Sequence, residues 1–184
     1  VIISTDSEHY ASIASRFGAR APFIRPNHLA SDESSSKDVI LHALHELRRL
    51  GCSYEYLILA EPSSPFCRPE DLRLGFGMLE KTKKPVVAVR EVSPNPLFIT
   101  PMGQDGQFGE LANRLGRPDL RRQAFEKSFT PNGCFYGVTV SEYLANGTFY
   151  TKDTLAFEMP QEYSLEIDEP MDAKFAKWLW ESGQ

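Results

Sequence analysis

The chain has 184 residues, 41% of them hydrophobic and 11% aromatic, enough for one sizeable domain with a core and incompatible with wholesale disorder. Twenty Lys and Arg against 25 Asp and Glu leave a net charge of −5, so a broad nucleic-acid surface is not expected, although a few clustered cations could still hold a small anion. The longest apolar runs, such as Tyr56–Ala60, have strand length and are too short to span a membrane.

Strands and helices alternate along the chain. Val1-Ile2-Ile3-Ser4-Thr5 carries no leader pattern and reads as a strand already inside a fold, with an N-terminal stretch expected before it. Asp6 and Ser7 are N-cap types, and Tyr10, Ile13, Ala14 and Phe17 follow at helical spacing up to Gly18. Pro22–Ile24 is a short apolar piece ended by Arg25-Pro26. Ser35-x-x-Asp38 fits a capping box, and Val39, Ile40, Ala43, Leu44, Leu47 and Leu50 form the apolar face of a second helix closed by Gly51. Tyr54–Ala60 reads as a strand buried on both faces of a parallel sheet. Pro69 with Glu70 and Asp71 opens a third helix through Leu72, Phe76 and Leu79, and its lysine-rich end suits the helix dipole. Val86–Val89 is a further buried strand.

Between Ser93 and Thr130 the rhythm breaks. Prolines, glycine turns and Arg114, Arg117, Arg121 and Arg122 mark an excursion from the sheet, a lobe suited to oligomerisation. Strands over Gly133–Val140 and Thr154–Glu158 follow, then a helix from Pro170 with Met171, Phe175, Trp178 and Leu179 as its core face. The expected architecture is a single α/β domain over residues 1–184, with a mainly parallel sheet covered by helices on both faces. Ligands in such sheets sit at the carboxyl ends of strands, where Arg25, Glu61 and Asp168 fall. Cys52, Cys67 and Cys134 have no CxxC or Cys/His ligand spacing and read as reduced residues of a cytoplasmic protein.

Three stretches can carry chemistry. Arg25 opens RPNHLASDESSS, which leads to a helix N-terminus where unpaired N–H groups and serine hydroxyls can meet an anion; the same residues also make an ordinary polar loop with a serine cap. Glu61-Pro62-Ser63-Ser64-Pro65 follows a strand, so Glu61 either meets a ligand or cation or points to solvent from a rigid turn. Glu166-Ile167-Asp168 places two carboxylates on one face of an extended segment, as Mg²⁺ with substrate phosphates requires, or simply starts the helix at Pro170. His42 and His45 lack a zinc pattern, and no G-x-S-x-G or Gly-rich phosphate loop is present.

Taken together, VIISTDSEHYASIASRFGA, RPNHLASDESSS, LILAEPSSPFCRPEDL, PNGCFYGV and SLEIDEPMDAKFA resemble, in order, blocks of the acylneuraminate cytidylyltransferases, the CMP-sialic acid synthetases. The resemblance implies a Rossmann-like nucleotidyltransferase fold with a dimerisation lobe at 93–130, a homodimer, and no nucleic-acid or membrane partner. It implies transfer from CTP to an acidic nine-carbon sugar, a sialic-acid-like nonulosonic acid, giving the CMP-sugar and pyrophosphate; a non-catalytic nucleotide- or sugar-binding homologue, or a dimer partner, is the alternative. By the same resemblance Arg25 and Ser36 contact the nucleotide, and Glu61, Arg122, Asn132, Tyr136, Phe149 and Tyr150 line the sugar site. The resemblance likewise implies that Glu166 and Asp168 are the catalytic pair that holds Mg²⁺. The chain departs from the family pattern in starting about one β-α unit late, without the R-x-G-S-K-G-type loop. It also has Glu61 for Gln and Phe98 for a substrate-directed Lys, which point to a different sugar or a changed activity, and Glu166 for the first Asp of the metal pair, a longer arm of the same charge that the site tolerates.

Overall fold

The computed structural model describes residues 1–31, 33–93, 96–107, 109–115 and 126–183, without the side chains of Leu97, Leu111, Ala112 and Arg114. In chain order the helices are α1 (Glu8–Arg16), α2 (Ser36–Arg49), α3 (Pro69–Thr82), α4 (Gly109–Leu115), α5 (Val140–Asn146) and α6 (Pro170–Glu181). The strands are β1 (Tyr56–Leu59), β2 (Val86–Glu91), β3 (Phe129–Thr139) and β4 (Leu155–Glu158). Two compact units form: residues Val1–Leu57 with Thr139–Thr148, and residues Ile58–Val138 with Phe149–Gln184.

In the first unit, α1 starts where Ser7 accepts a hydrogen bond from the Tyr10 amide, and α2 where Ser35 accepts one from Asp38. Ile40 and Leu47 bury the face of α2, whereas Leu50 stays 46% exposed at its end. The strand expected over Val1–Thr5 is reduced to one parallel bridge, Ile2 to Arg20, with Arg25 N donating to Thr5 O at 2.8 Å. The short helix α5 was not legible in the sequence. Thr139 caps it, and Gly147 ends it at φ +66°.

The second unit carries the site. Its sheet, among the described residues, has the order β1-β3-β2-β4. The α/β class holds, with a mixed sheet: β2 runs parallel to β4 and antiparallel to β3. Strand β3 follows the 93–128 excursion and pairs with β2 in the antiparallel sense. Val86, Val87, Ala88 and Val89 are buried, as a central strand demands. Strand β1 is instead an edge strand, with Ile58 41% exposed, and its apolar run does not mark the sheet centre. Helix α3 packs on β2 and on Phe135 of β3 through Gly75 and Leu79.

Helix α6 corrects another expectation. Ala176 and Leu179 are buried, while Met171, Phe175 and Trp178 lie on the exposed side, the last two rings stacked at 5.8 Å. The excursion contains a 3₁₀ turn (Pro96–Phe98) and α4; Arg117, Arg121, Arg122 and Phe108 fall outside the described residues. No described helix is long and apolar enough to cross a membrane.

Candidate active site

The site grows from a break in the β2–β3 ladder. Val87 pairs with Tyr136, but Val89 already pairs with Pro131, so β3 bulges between those two residues. A bulge frees strand residues from pairing and re-aims them. Gly133 sits in it at φ +69°, a left-handed conformation that favours glycine. The bulge is tied to the turn after β1: Glu61 N donates to Gly133 O at 2.9 Å, and the buried Ser64 hydroxyl donates to Asn132 O at 2.9 Å. The 164–168 segment joins on the other side, where Ile167 N donates to Ser63 O at 2.8 Å. Three distant stretches of sequence are thereby fastened around one glycine.

The missing Cβ of Gly133 is what lets carboxylates converge there. A methyl at that position would lie 2.7 Å from Glu166 Oε1, 3.4 Å from Glu61 Oε2, and against Ser64 Oγ. Asp168 is exposed at the start of α6; its amide, like that of Glu169, donates to Asp172, so Asp172 is a helix cap. Burial first, then the charge of Asp168, push the Glu61 carboxyl above its ordinary pKa. Burial, Asp168 and Glu61 raise Glu166 in the same way, and Arg90 opposes them. Burial raises the Tyr136 and Tyr150 phenols, and both also feel Glu61 and Glu166. The two tyrosines and three acids therefore form one electrostatic cluster.

Among the described residues no group of three His, Cys, Asp or Glu could hold a metal by itself. Glu166 and Asp168 offer hard oxygen donors, which fits a Mg²⁺ ion held by one or two carboxylates and completed by water and substrate phosphate.

The other expected residues divide. The Tyr136 ring packs on Phe149 at 5.6 Å and meets Tyr150 edge-on at 6.3 Å. Tyr150 is 55% exposed, but Phe149 is buried, so it supports the Tyr136 ring instead of lining an open surface. Asn132 is likewise internal. It is wholly buried; its Nδ2 donates to Ser164 Oγ at 2.9 Å and its Oδ1 accepts from Cys134 N, which braces the bulge. Arg25 and Ser36 belong to the first unit. Arg25 lies 3.9 Å from Asp6 with its Nε buried and unbonded, and Ser36 is exposed as the first residue of α2. Arg122 falls outside the described residues.

The structure adds residues that spacing did not disclose. Cys67 and Cys134 are joined in a disulfide, which corrects their assignment as reduced thiols; Cys52 remains free. Their partnership depends on the turn after β1 meeting the bulge, a contact without sequence periodicity. Ser64 and Gly133 were hidden for the same reason. Arg90 carried a faint signal, a charge at the carboxyl end of the otherwise apolar VVAV strand.

No family model matches the sequence. The chain is 28% identical over 186 residues to the CMP-N,N'-diacetyllegionaminic acid synthase of Legionella pneumophila, covering all of this chain and 79% of that protein. It is 32% identical over 184 residues to the N-acylneuraminate cytidylyltransferase of Escherichia coli, covering 96% of this chain and 41% of the longer relative. The pseudaminic acid cytidylyltransferase of Campylobacter jejuni is 24% identical, covering 98% and 77%. Among solved structures, CMP:2-keto-3-deoxy-manno-octonic acid synthetase complexed with CTP superposes with a TM-score of 0.64 at 13% identity, covering all of this chain and 81% of that one. A 4-diphosphocytidyl-2C-methyl-D-erythritol synthase gives 0.65 at 10% identity, covering 98% and 80%. Those two likenesses bear on the fold, which is the Rossmann-like fold of nucleotidyltransferases. Over nearly its whole length the chain is thus similar to proteins named as a CMP-N,N'-diacetyllegionaminic acid synthase and as N-acylneuraminate and pseudaminic acid cytidylyltransferases.

Proposed function

We propose that the protein is a cytidylyltransferase that joins CTP to a sialic-acid-like nonulosonic acid. The anomeric oxygen of the sugar forms a bond to the α-phosphorus of CTP, the bond to the β-phosphate oxygen breaks, and pyrophosphate leaves. The observation that supports this most is the convergence of Glu61 and Glu166 on the Gly133 bulge, within electrostatic reach of Asp168. Its relatives, one named as a CMP-N,N'-diacetyllegionaminic acid synthase and others as N-acylneuraminate and pseudaminic acid cytidylyltransferases, support the same chemistry.

Glu166 and Asp168 would hold Mg²⁺, which when bound neutralises phosphate charge. Tyr136 and Tyr150 offer aromatic faces and hydroxyls to the sugar, and Glu61 accepts hydrogen bonds from its hydroxyl or amine donors. Arg25 and Ser36 contact the nucleotide, by their match to the family motif. The residues thus mainly orient the reactants and offset charge.

The 93–130 excursion would form a homodimer. Ile99 and Met102 within it keep 57% and 68% of their surface exposed, which suits burial against a second copy. Since CTP is a cytoplasmic nucleotide, the cytoplasm is the compartment we assign. The test is pyrophosphate release by the full-length protein with CTP, Mg²⁺ and a panel of nonulosonic acids. Release with at least one acid is expected; none with any acid, alongside measurable binding of CTP or sugar, would favour a non-catalytic homologue. Sedimentation at micromolar concentration reads the dimer, and a monomer would remove that assignment.

A further inference from the structure

The carboxylate cluster raises a difficulty for its own substrate. A nonulosonic acid is an anion, and Glu61, Glu166 and Asp168 would each repel it. A fixed cation is needed nearby, and among the described residues of the second unit several cations are engaged. Arg68 holds Asp71 at 2.9 Å, Arg73 holds Glu70 at 3.1 Å, and Lys127 holds Glu91 at 2.6 Å. Arg90 differs from these. Its Nε is buried without a hydrogen-bond partner, although the residue as a whole keeps some solvent access.

The position of Arg90 is set by the sheet. It occupies the carboxyl end of β2, where ligands of α/β sheets bind, and pairs with Thr130 immediately before the bulge. Adjacent Val89 pairs with Pro131, so the backbone of Arg90 borders the segment that holds Asn132 and Gly133. Its guanidinium also lies close enough to Glu166 to oppose the rise of that carboxyl. A buried guanidinium N–H without an acceptor is a costly thing to leave in a protein interior. An incoming carboxylate would supply that acceptor, and the planar fork of arginine matches a carboxylate better than an ammonium does.

We propose that Arg90 binds the carboxylate of the acidic sugar and thereby selects for an acid at this site. The proposal rests on the function argued above and assigns a residue to one part of the substrate. A guanidinium that merely balanced the charge of Glu166 would affect turnover and metal requirement but not recognition of the sugar carboxylate.

The experiment compares wild type, Arg90→Gln and Arg90→Lys in the full-length protein. The substrate is a nonulosonic acid that wild type turns over, and its carboxamide analogue serves as competitive inhibitor. Arg90→Gln should raise KM for the acid on the order of 10- to 100-fold, the loss of a charge-assisted hydrogen bond, with KM for CTP within about twofold. Arg90→Lys should recover part of that loss. The preference for acid over carboxamide should collapse in Arg90→Gln. An unchanged KM for the acid, an unchanged acid-to-amide preference, or a change confined to kcat and Mg²⁺ requirement would overturn the assignment. A readout on wild type alone guards against variants that fail to fold. Dicarbonyl labelling of arginine, mapped by peptide mass, should show Arg90 protected by the sugar acid and not by its carboxamide; equal labelling in both would refute the proposal. If wild type releases no pyrophosphate with any acid, the catalytic assignment fails on its own, and the labelling result still decides the role of Arg90.

Discussion

Replacing Gly133 by Ala probes whether the bulge sets the site. Two penalties can be worked from the structure. The residue sits at φ +69°, and an L-residue held in the left-handed region is destabilised by roughly 1–2 kcal/mol. The new methyl would also stand 2.7 Å from Glu166 Oε1 and crowd Ser64 Oγ. Displacing Ser64 breaks its buried 2.9 Å bond to Asn132 O, a loss of about 1 kcal/mol. The combined effect should be about 2–3 kcal/mol, with each kcal/mol lowering Tm by roughly 2–4 °C in a chain of this size. Gly51→Ala is the internal control: Gly51 has φ +78° but nothing within 4 Å of a built Cβ, so only the conformational penalty applies. Calorimetry and pyrophosphate release on both variants separate the two effects. Because Glu166 must move in Gly133→Ala, kcat/KM should fall on the order of 100-fold, the cost of a misplaced group, while Gly51→Ala keeps wild-type turnover. Equal stability and equal activity in the two variants would refute the claim that Gly133 is the point of convergence.

Three further outcomes are expected. The buried Asp71 carboxylate accepts from Arg68 at 2.9 Å, and that pairing holds its pKa below the usual range. The pair therefore stabilises the fold above the unfolded pKa near 4 and ceases to do so as pH falls through the lower folded value. Asp71→Asn should lose about 1–3 kcal/mol at neutral pH, and urea titrations should show the gap from wild type closing only below about pH 4; a pH-independent gap would point to shape instead of charge. The Cys67–Cys134 bridge closes a separation of 67 residues, so Cys67→Ser should lose up to about 4 kcal/mol by the chain-entropy estimate. Thiol titration of the unfolded, unreduced protein should find Cys52 alone reactive, and three thiols per chain would remove the bridge. Glu61→Gln relieves a like-charge repulsion of roughly 4 kcal/mol at about 4 Å in an effective dielectric near 20. It should shift substrate preference toward ordinary N-acetylneuraminic acid, and an unaltered kcat/KM profile across the panel would mean that Glu61 does not face the sugar.

The sequence by itself determined the local and periodic features. Ser7, Ser35 and Pro69 mark helix starts because capping is a matter of one to four residues. Val86–Val89 is apolar throughout because a central strand has no wet face. The ordered blocks also placed Glu61, Glu166 and Asp168 near element ends. Periodicity could not decide which apolar surface is covered. The run at Tyr56–Leu59 became an edge, and Met171, Phe175 and Trp178 stayed in water, because coverage depends on neighbours from elsewhere in the chain. Only the tertiary structure decided that Asn132 is a brace, that Phe149 lies under Tyr136, and that Cys67 reaches Cys134. The same holds for the bulge at Gly133. It arises where the turn after β1 and the 164–168 segment are hydrogen-bonded around β3, and such long-range fastening leaves no spacing in the sequence from which it could be read.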